Sequence, residues 1–210
     1  MKISASFLSI KDNLKENILV LDQSNIDYLH LDIMDGKFVS NKTWDIETIK
    51  KLLTGTNRPK DVHLMVSDVK TYIDDFSTLN PDYITIHFEA VDDIEEMINY
   101  IKSKHIKVGL SIKPNTDIVS IIPYLSLIDL VLIMSVEPGK GGQDFIESAS
   151  SKINILKELR DENNYYHYVI EVDGGINDET INLCRNADII VVGSYITKSD
   201  NYNEQINKLK

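Results

Sequence analysis

Cysteine is almost missing from this chain: Cys184 is the only one in 210 residues. No internal disulfide can form, so the fold must stand on its core, and a cytoplasmic location is expected. Long hydrophobic runs are missing too. The longest apolar stretch, Leu127 to Met134, is broken by Asp129 and is too short to span a bilayer. A short apolar run precedes Lys11-Asp12, so no signal peptide is expected. Positive charge is scarce, with 22 Lys and Arg against 33 Asp and Glu and a net charge of −11. That balance argues against nucleic acid, which needs cations to neutralise phosphates. An anionic small ligand would have to be held by local backbone dipoles and a few placed cations, not by the overall field. Proline is rare, and Pro59, Pro81 and Pro123 are expected between elements, where they break no ladder. No low-complexity linker or internal repeat divides the chain. Its length suits one domain, residues 1–210.

What the chain does have is alternation. Short runs rich in Ile, Val and Leu read as strands at 2–7, 27–33, 60–65, 82–88, 106–112, 128–135, 167–173 and 188–193. Between them apolar residues recur at helical spacing: Leu14, Ile18 and Leu21; Ile46, Ile49, Leu52 and Leu53; Ile94, Met97, Ile98 and Ile101; Ile153, Leu156 and Leu159. Eight strands, each followed by a helix or helical turn, predict an α/β fold: a single, parallel, eight-stranded (βα)8 TIM barrel. An open doubly wound sheet is the competing architecture. Asp27, Lys60, Asp82, Lys107, Asp129 and Asp188 read as solvated starts of strands.

In such a barrel the chemistry sits at the C-terminal strand ends. Residues two apart in a strand share a face, about 6.5–7 Å apart. One face of the second strand therefore carries His30, Asp32 and Met34, and the third offers His63 and Met65. Ser6, His87, Glu89, Ser111, Lys113, Met134, Ser135 and Asp173 stand at or near the ends of the others. Two histidines and two aspartates from three strands suit one divalent metal ion: zinc, iron, manganese or cobalt. Each residue also has a plainer reading. A lone strand histidine is more often a hydrogen-bonded core residue, and an aspartate such as Asp35, before Gly36, is more often a turn former. Gly174-Gly175 and Gly193-Ser194 follow the last two strands, where backbone N–H groups commonly hold phosphate. Gly139-Lys140-Gly141-Gly142 reads as a mobile loop over a substrate, or as a surface turn.

Five segments, in order, are more specific than any of these signals alone. They are His30-Leu-Asp32-Ile-Met34-Asp-Gly-Lys-Phe-Val, Asp61-Val-His63-Leu-Met65-Val, Met134-Ser-Val-Glu-Pro-Gly-Lys-Gly-Gly-Gln143, Glu171-Val-Asp173-Gly-Gly-Ile and Val192-Gly193-Ser194. Through them the chain resembles the ribulose-phosphate 3-epimerase family along nearly its whole length. The resemblance implies that His30, Asp32, His63 and Asp173 bind the metal, and that Asp32 and Asp173 also serve as acid and base. It implies that Ser6 contacts substrate and that Met34, Met65 and Met134 pack around the reacting centre. Substrate contacts are also expected from His63, Asp173, Gly141, Gly142, Gly174, Gly175, Gly193 and Ser194. The implied reaction interconverts D-ribulose 5-phosphate and D-xylulose 5-phosphate. A six-carbon ketose phosphate such as allulose 6-phosphate is the nearest alternative substrate. A metal-dependent aldolase and a non-catalytic sugar-phosphate binder are more distant readings. The expected partner is a small sugar phosphate, with no nucleic acid and no membrane. A homo-oligomer is allowed, since no single apolar stripe selects an assembly.

Three positions depart from the family pattern. Lys140 stands where an aromatic residue is usual, and Ala5 and Ser40 replace prolines. The segment around Trp44 is also unusual. Lys140 is expected to bring positive charge near the phosphate. Glu171 shares strand parity with Asp173 and is expected inside the barrel as a satisfied carboxylate, with Lys113 and Ser111 as candidate partners. His87 is expected in a comparable supporting place.

Overall fold

The computed structural model describes all residues, 1–210. The order is β1 (Lys2–Ser6), α1 (Leu14–Gln23), β2 (Tyr28–Met34), α2 (Ile46–Leu52), β3 (Lys60–Met65), α3 (Val69–Ser77), β4 (Tyr83–His87), α4 (Ile94–Ser103), β5 (Lys107–Ile112), β6 (Leu130–Met134), α5 (Ser148–Glu162), β7 (Val169–Asp173), β8 (Ile189–Val192), α6 (Ser194–Thr197) and α7 (Tyr202–Lys208). Short 3₁₀ segments at Ile118–Tyr124 and Ile181–Cys184 stand where the helices after β5 and β7 would be. The eight strands pair in parallel, in chain order, and β8 closes onto β1. The open doubly wound sheet is thereby excluded.

Strand parity divides the core in two. Leu29, Leu31 and Ile33 of β2 face outward into the layer between sheet and helices, together with Ile18, Leu21, Ile49 and Ile98. Tyr28, Tyr83, Leu130, Leu132 and Ile189 pack together inside the barrel. The interior also holds buried Ser4, His30, Asp61, Thr85, Ser111 and Glu171, so much of its filling is polar. Space is tight there. A Cβ on Gly109 of β5 would lie 2.0 Å from Thr85 Oγ1, which leaves room for glycine alone.

Two expectations need correction. The aspartates before the strands are half-buried and bonded, not merely solvated. Asp27 Oδ2 accepts from the Ile3 N–H at 2.9 Å, Asp129 Oδ2 from Val108 at 2.8 Å, and Asp188 Oδ2 from Ile170 at 2.8 Å. Each carboxylate thus satisfies a backbone donor near the start of the preceding strand, and every strand except β1 and β3 begins one or two residues later than periodicity alone suggests. Pro123, expected between elements, lies within the 3₁₀ segment Ile118–Tyr124. Pro59 and Pro81 do fall between elements. No helix is long and apolar enough to cross a membrane.

Candidate active site

Register brings the site together. Asp32 of β2 lies opposite His63 of β3, Met34 opposite Met65, and Met134 of β6 opposite Asp173 of β7. Barrel closure then carries β7 round to face β2. The ligating atoms of His30, Asp32, His63 and Asp173 all lie within 4.8 Å of one another. His30 Nε2 is 3.5 Å from Asp32 Oδ1, and His63 Nδ1 is 3.6 Å from Asp32 Oδ1 and 3.8 Å from Asp173 Oδ2.

The remaining atoms of Asp32, His30 and His63 are engaged. Ser6 Oγ donates to Asp32 Oδ2 at 2.6 Å and accepts from the Leu8 N–H at 3.2 Å. His30 Nδ1 is 2.7 Å from Asp61 Oδ2, which also accepts from Ser4 Oγ at 2.7 Å. His63 Nε2 is 2.9 Å from His87 Nε2. Burial opposes charge on Asp32, but His30 and then His63 outweigh it and hold the carboxyl well below its usual range. Burial, then the Asp32 charge, push Asp173 up to about 6. Burial pushes His87 down to about 4, against the pull of Glu89.

A cavity of about 510 Å³ opens above this cluster. Asp32, Asp173 and Ser6 stand in its wall together with Met34, Met65 and Met134, each methionine no more than 2% exposed. Gly174, Gly175, Gly193 and Ser194 line one side, with Lys198. Gly175 adopts φ +66°, and a Cβ there would meet the Phe145 backbone nitrogen at 2.4 Å, so the loop after β6 rests directly on it. Gly141, Gly142 and Lys140 line the mouth. Their loop is seated. Gln143 Nε2 donates to the carbonyls of Glu137 and Lys140 at 2.6 and 2.9 Å, and Asn41 Nδ2 to that of Gly139 at 2.7 Å.

His30 and His63 are fully buried beneath the cavity and do not line it. Asp35 is a turn former: its carboxylate accepts from the N–H groups of Lys37, Phe38 and Ser67 at 2.8, 3.0 and 2.7 Å. Glu171 requires correction. It faces Asp61 and His30, not Lys113 or Ser111, and neither of its oxygens has a hydrogen-bond partner. Burial, then the neighbouring Asp61 charge, push its carboxyl well above the usual carboxylate range. The Lys113 ammonium lies over the Phe38 ring instead, 4.2 Å from its centroid. Two contributors escaped the sequence reading: Asp61, which shares the parity of His63, and Lys198, which no motif marks.

Solved structures with the same barrel include KGPDC from Streptococcus mutans, at TM-score 0.72 and 13% identity over 99% of this chain and 94% of that one. A 3-hexulose-6-phosphate synthase reaches 0.68 and 16% identity over 100% and 98%. At such identities they share the fold alone. Relatives in sequence are nearer. A ribulose-phosphate 3-epimerase of Treponema pallidum is 38% identical over 195 residues, covering 91% of this chain and 89% of its own length. Those of Methanocaldococcus jannaschii and Bacillus subtilis are 38% and 33% identical, over 100% and 99% of this chain and 90% and 95% of their own lengths. The ribulose-phosphate 3 epimerase family pattern matches residues 2–197, from the start of β1 to the end of α6. Barrel, motif order and matched span agree, and the chain belongs to the ribulose-phosphate 3-epimerase family.

Proposed function

We propose that this protein is a metal-dependent 3-epimerase that interconverts D-ribulose 5-phosphate and D-xylulose 5-phosphate. The observation that carries this reading is the convergence of Asp32 and Asp173, from β2 and β7, on one cavity. Inverting a carbon beside a ketone takes a proton from one face and returns one to the other. A single base tends to restore the starting configuration, whereas two carboxylates flanking the sugar invert it. Ser6 fixes the Asp32 carboxylate by donating to Oδ2. Met34, Met65 and Met134 keep water from the reacting carbon without offering protons of their own.

The donor set fits a divalent metal. His30 Nε2 and His63 Nδ1 are buried, have no hydrogen-bond partner, and stand beside two carboxylates. Such atoms are costly to bury unless a cation takes their lone pairs. His30, Asp32, His63 and Asp173 would hold it, and zinc, iron, manganese and cobalt all suit the set. A cation held there would supply positive charge to offset negative charge developing on the substrate oxygens.

Gly174, Gly175, Gly193 and Ser194 offer backbone N–H groups to the phosphate, and Lys140 and Lys198 add the local charge that an acidic protein requires. Lys140→Phe is expected to raise KM and to flatten its dependence on salt; unchanged values for both would remove Lys140 from phosphate binding. The assignment as a whole is tested by following solvent deuterium into C3 of ribulose 5-phosphate during epimerisation. The expected result is one xylulose 5-phosphate per turnover with all five carbons retained. A higher kcat/KM on allulose 6-phosphate would move the substrate to a hexulose, and carbon–carbon cleavage would replace epimerisation with an aldolase.

A further inference from the structure

The nitrogen that His63 turns toward the carboxylates is Nδ1, whereas His30 presents Nε2. Each ring must therefore be held in a different tautomer, and the buried groups behind it decide which one. Behind His63 stand two side chains in series. His87 Nε2 lies 2.9 Å from His63 Nε2, and His87 Nδ1 lies 3.2 Å from Glu89 Oε2. Both rings are fully buried, and His87 also packs against Phe38 at 4.9 Å between centroids.

Proton counting gives this row a direction. Two imidazole nitrogens 2.9 Å apart share one hydrogen. Glu89 accepts on its other oxygen from the Lys113 N–H at 2.8 Å and from the Thr116 hydroxyl. These donors, with His87, outweigh its burial and hold its carboxyl down at about 2. An acceptor at that end calls the His87 proton to Nδ1. His87 Nε2 is then a bare lone pair and accepts from His63 Nε2–H, which leaves the His63 Nδ1 lone pair free toward Asp32 and Asp173.

The geometry points to Glu89 as a positioning residue that acts through His87 to fix His63 as an Nδ1 ligand of the metal. The inference rests on the ligand set proposed above. Its anchorage reaches further out. Lys152 of α5 donates to the carbonyls of Lys113, Pro114 and Thr116 at 3.2, 2.7 and 2.6 Å, and so braces the turn that holds Glu89.

Glu89→Gln reverses the row. The Lys113 N–H is a backbone donor that cannot turn away, so the amide oxygen stays on it and the NH2 group meets His87 Nδ1. His87 then accepts at Nδ1, donates from Nε2, and drives the His63 proton onto Nδ1, where it blocks the metal. Nitrogen-15 NMR of metal-free, histidine-labelled protein is expected to show His63 protonated at Nε2 and His87 at Nδ1 in the wild type, with both exchanged in the variant. Zinc affinity, measured by competition with a chromophoric chelator, is expected to fall about 10–100-fold in Glu89→Gln. A wild-type His63 protonated at Nδ1, or a zinc affinity in the variant within twofold of wild type, overturns the relay. The wild-type spectrum needs no variant to fold. Neither readout uses turnover, so a wrong substrate assignment would leave both results standing.

Discussion

Asp32→Asn and Asp173→Asn are each expected to lower kcat for epimerisation by about 10²–10⁴, the usual worth of a positioned acid or base. Asparagine keeps the shape and can still accept the Ser6 hydroxyl that now bonds Asp32 Oδ2 at 2.6 Å. What it cannot do is take up a proton. The two variants should fail in complementary ways. With one carboxyl on each face of the sugar, removing one leaves the other able to strip the C3 proton of a single epimer and return it to the same face. One variant should then exchange C3 with solvent deuterium only from ribulose 5-phosphate, the other only from xylulose 5-phosphate, and neither should invert. Because both carboxylates also belong to the proposed ligand set, rates are compared at metal concentrations that saturate each variant. Full turnover in either variant, or loss of exchange from both epimers in both, would reject the two-face assignment.

The elements behind that prediction differ in how plainly the chain announced them. Strand parity placed His30, Asp32 and Met34 on one face, because the two-residue repeat is local and β2 is regular throughout. The helical stripe Ile94, Met97, Ile98 and Ile101 is buried in α4 at every position. Strand ends were less legible. Asp129 and Asp188 look like strand residues in a hydrophobic run, yet their side chains are occupied with donors on the neighbouring strands, and only the register reveals it. Depth inside the barrel was the least legible quantity. Asp61 and His63 have the same parity, but the pairing of His30 with Asp61 and of Asp32 with His63 sets one a layer below the other. Asp61 therefore backs a histidine, while Asp32 and Asp173 reach the cavity. Glu171 was misjudged for the same reason. Its own layer contains His30 and Asp61, whereas Lys113 lies past the end of β5 and is drawn to Phe38. Parity is a property of one strand; depth depends on how the eight are staggered.

Chelation of divalent metal is expected to lower the melting temperature by about 8–16 °C, with full recovery when the ion is restored. Asp32 and Asp173 converge with His30 Nε2 and His63 Nδ1 within 4.8 Å, and without an ion the two carboxylates depend on the His30 proton for countercharge. A ligand that binds only the folded chain adds about 4 kcal/mol when present at 1,000 times its Kd. For a chain of this length each kcal/mol moves the melting temperature by roughly 2–4 °C. The pH dependence has a definite sign. Burial opposes protonation of His30, but the charges of Asp61 and then Asp32 outweigh it and raise its pKa well above 6.5. In the metal-free protein that proton stabilises the fold at low pH, and the stabilisation is lost as pH rises through the raised value. Metal needs the same nitrogen bare, so its stabilisation grows as the proton leaves. The gap in melting temperature between loaded and stripped protein should accordingly be widest above the raised His30 value and narrow as pH falls through it. His63→Ala, which deletes one donor, should shrink the gap at every pH. A melting temperature indifferent to chelator at pH 8 would mean that this cluster holds its charges without an ion, and the ligand set would have to be abandoned.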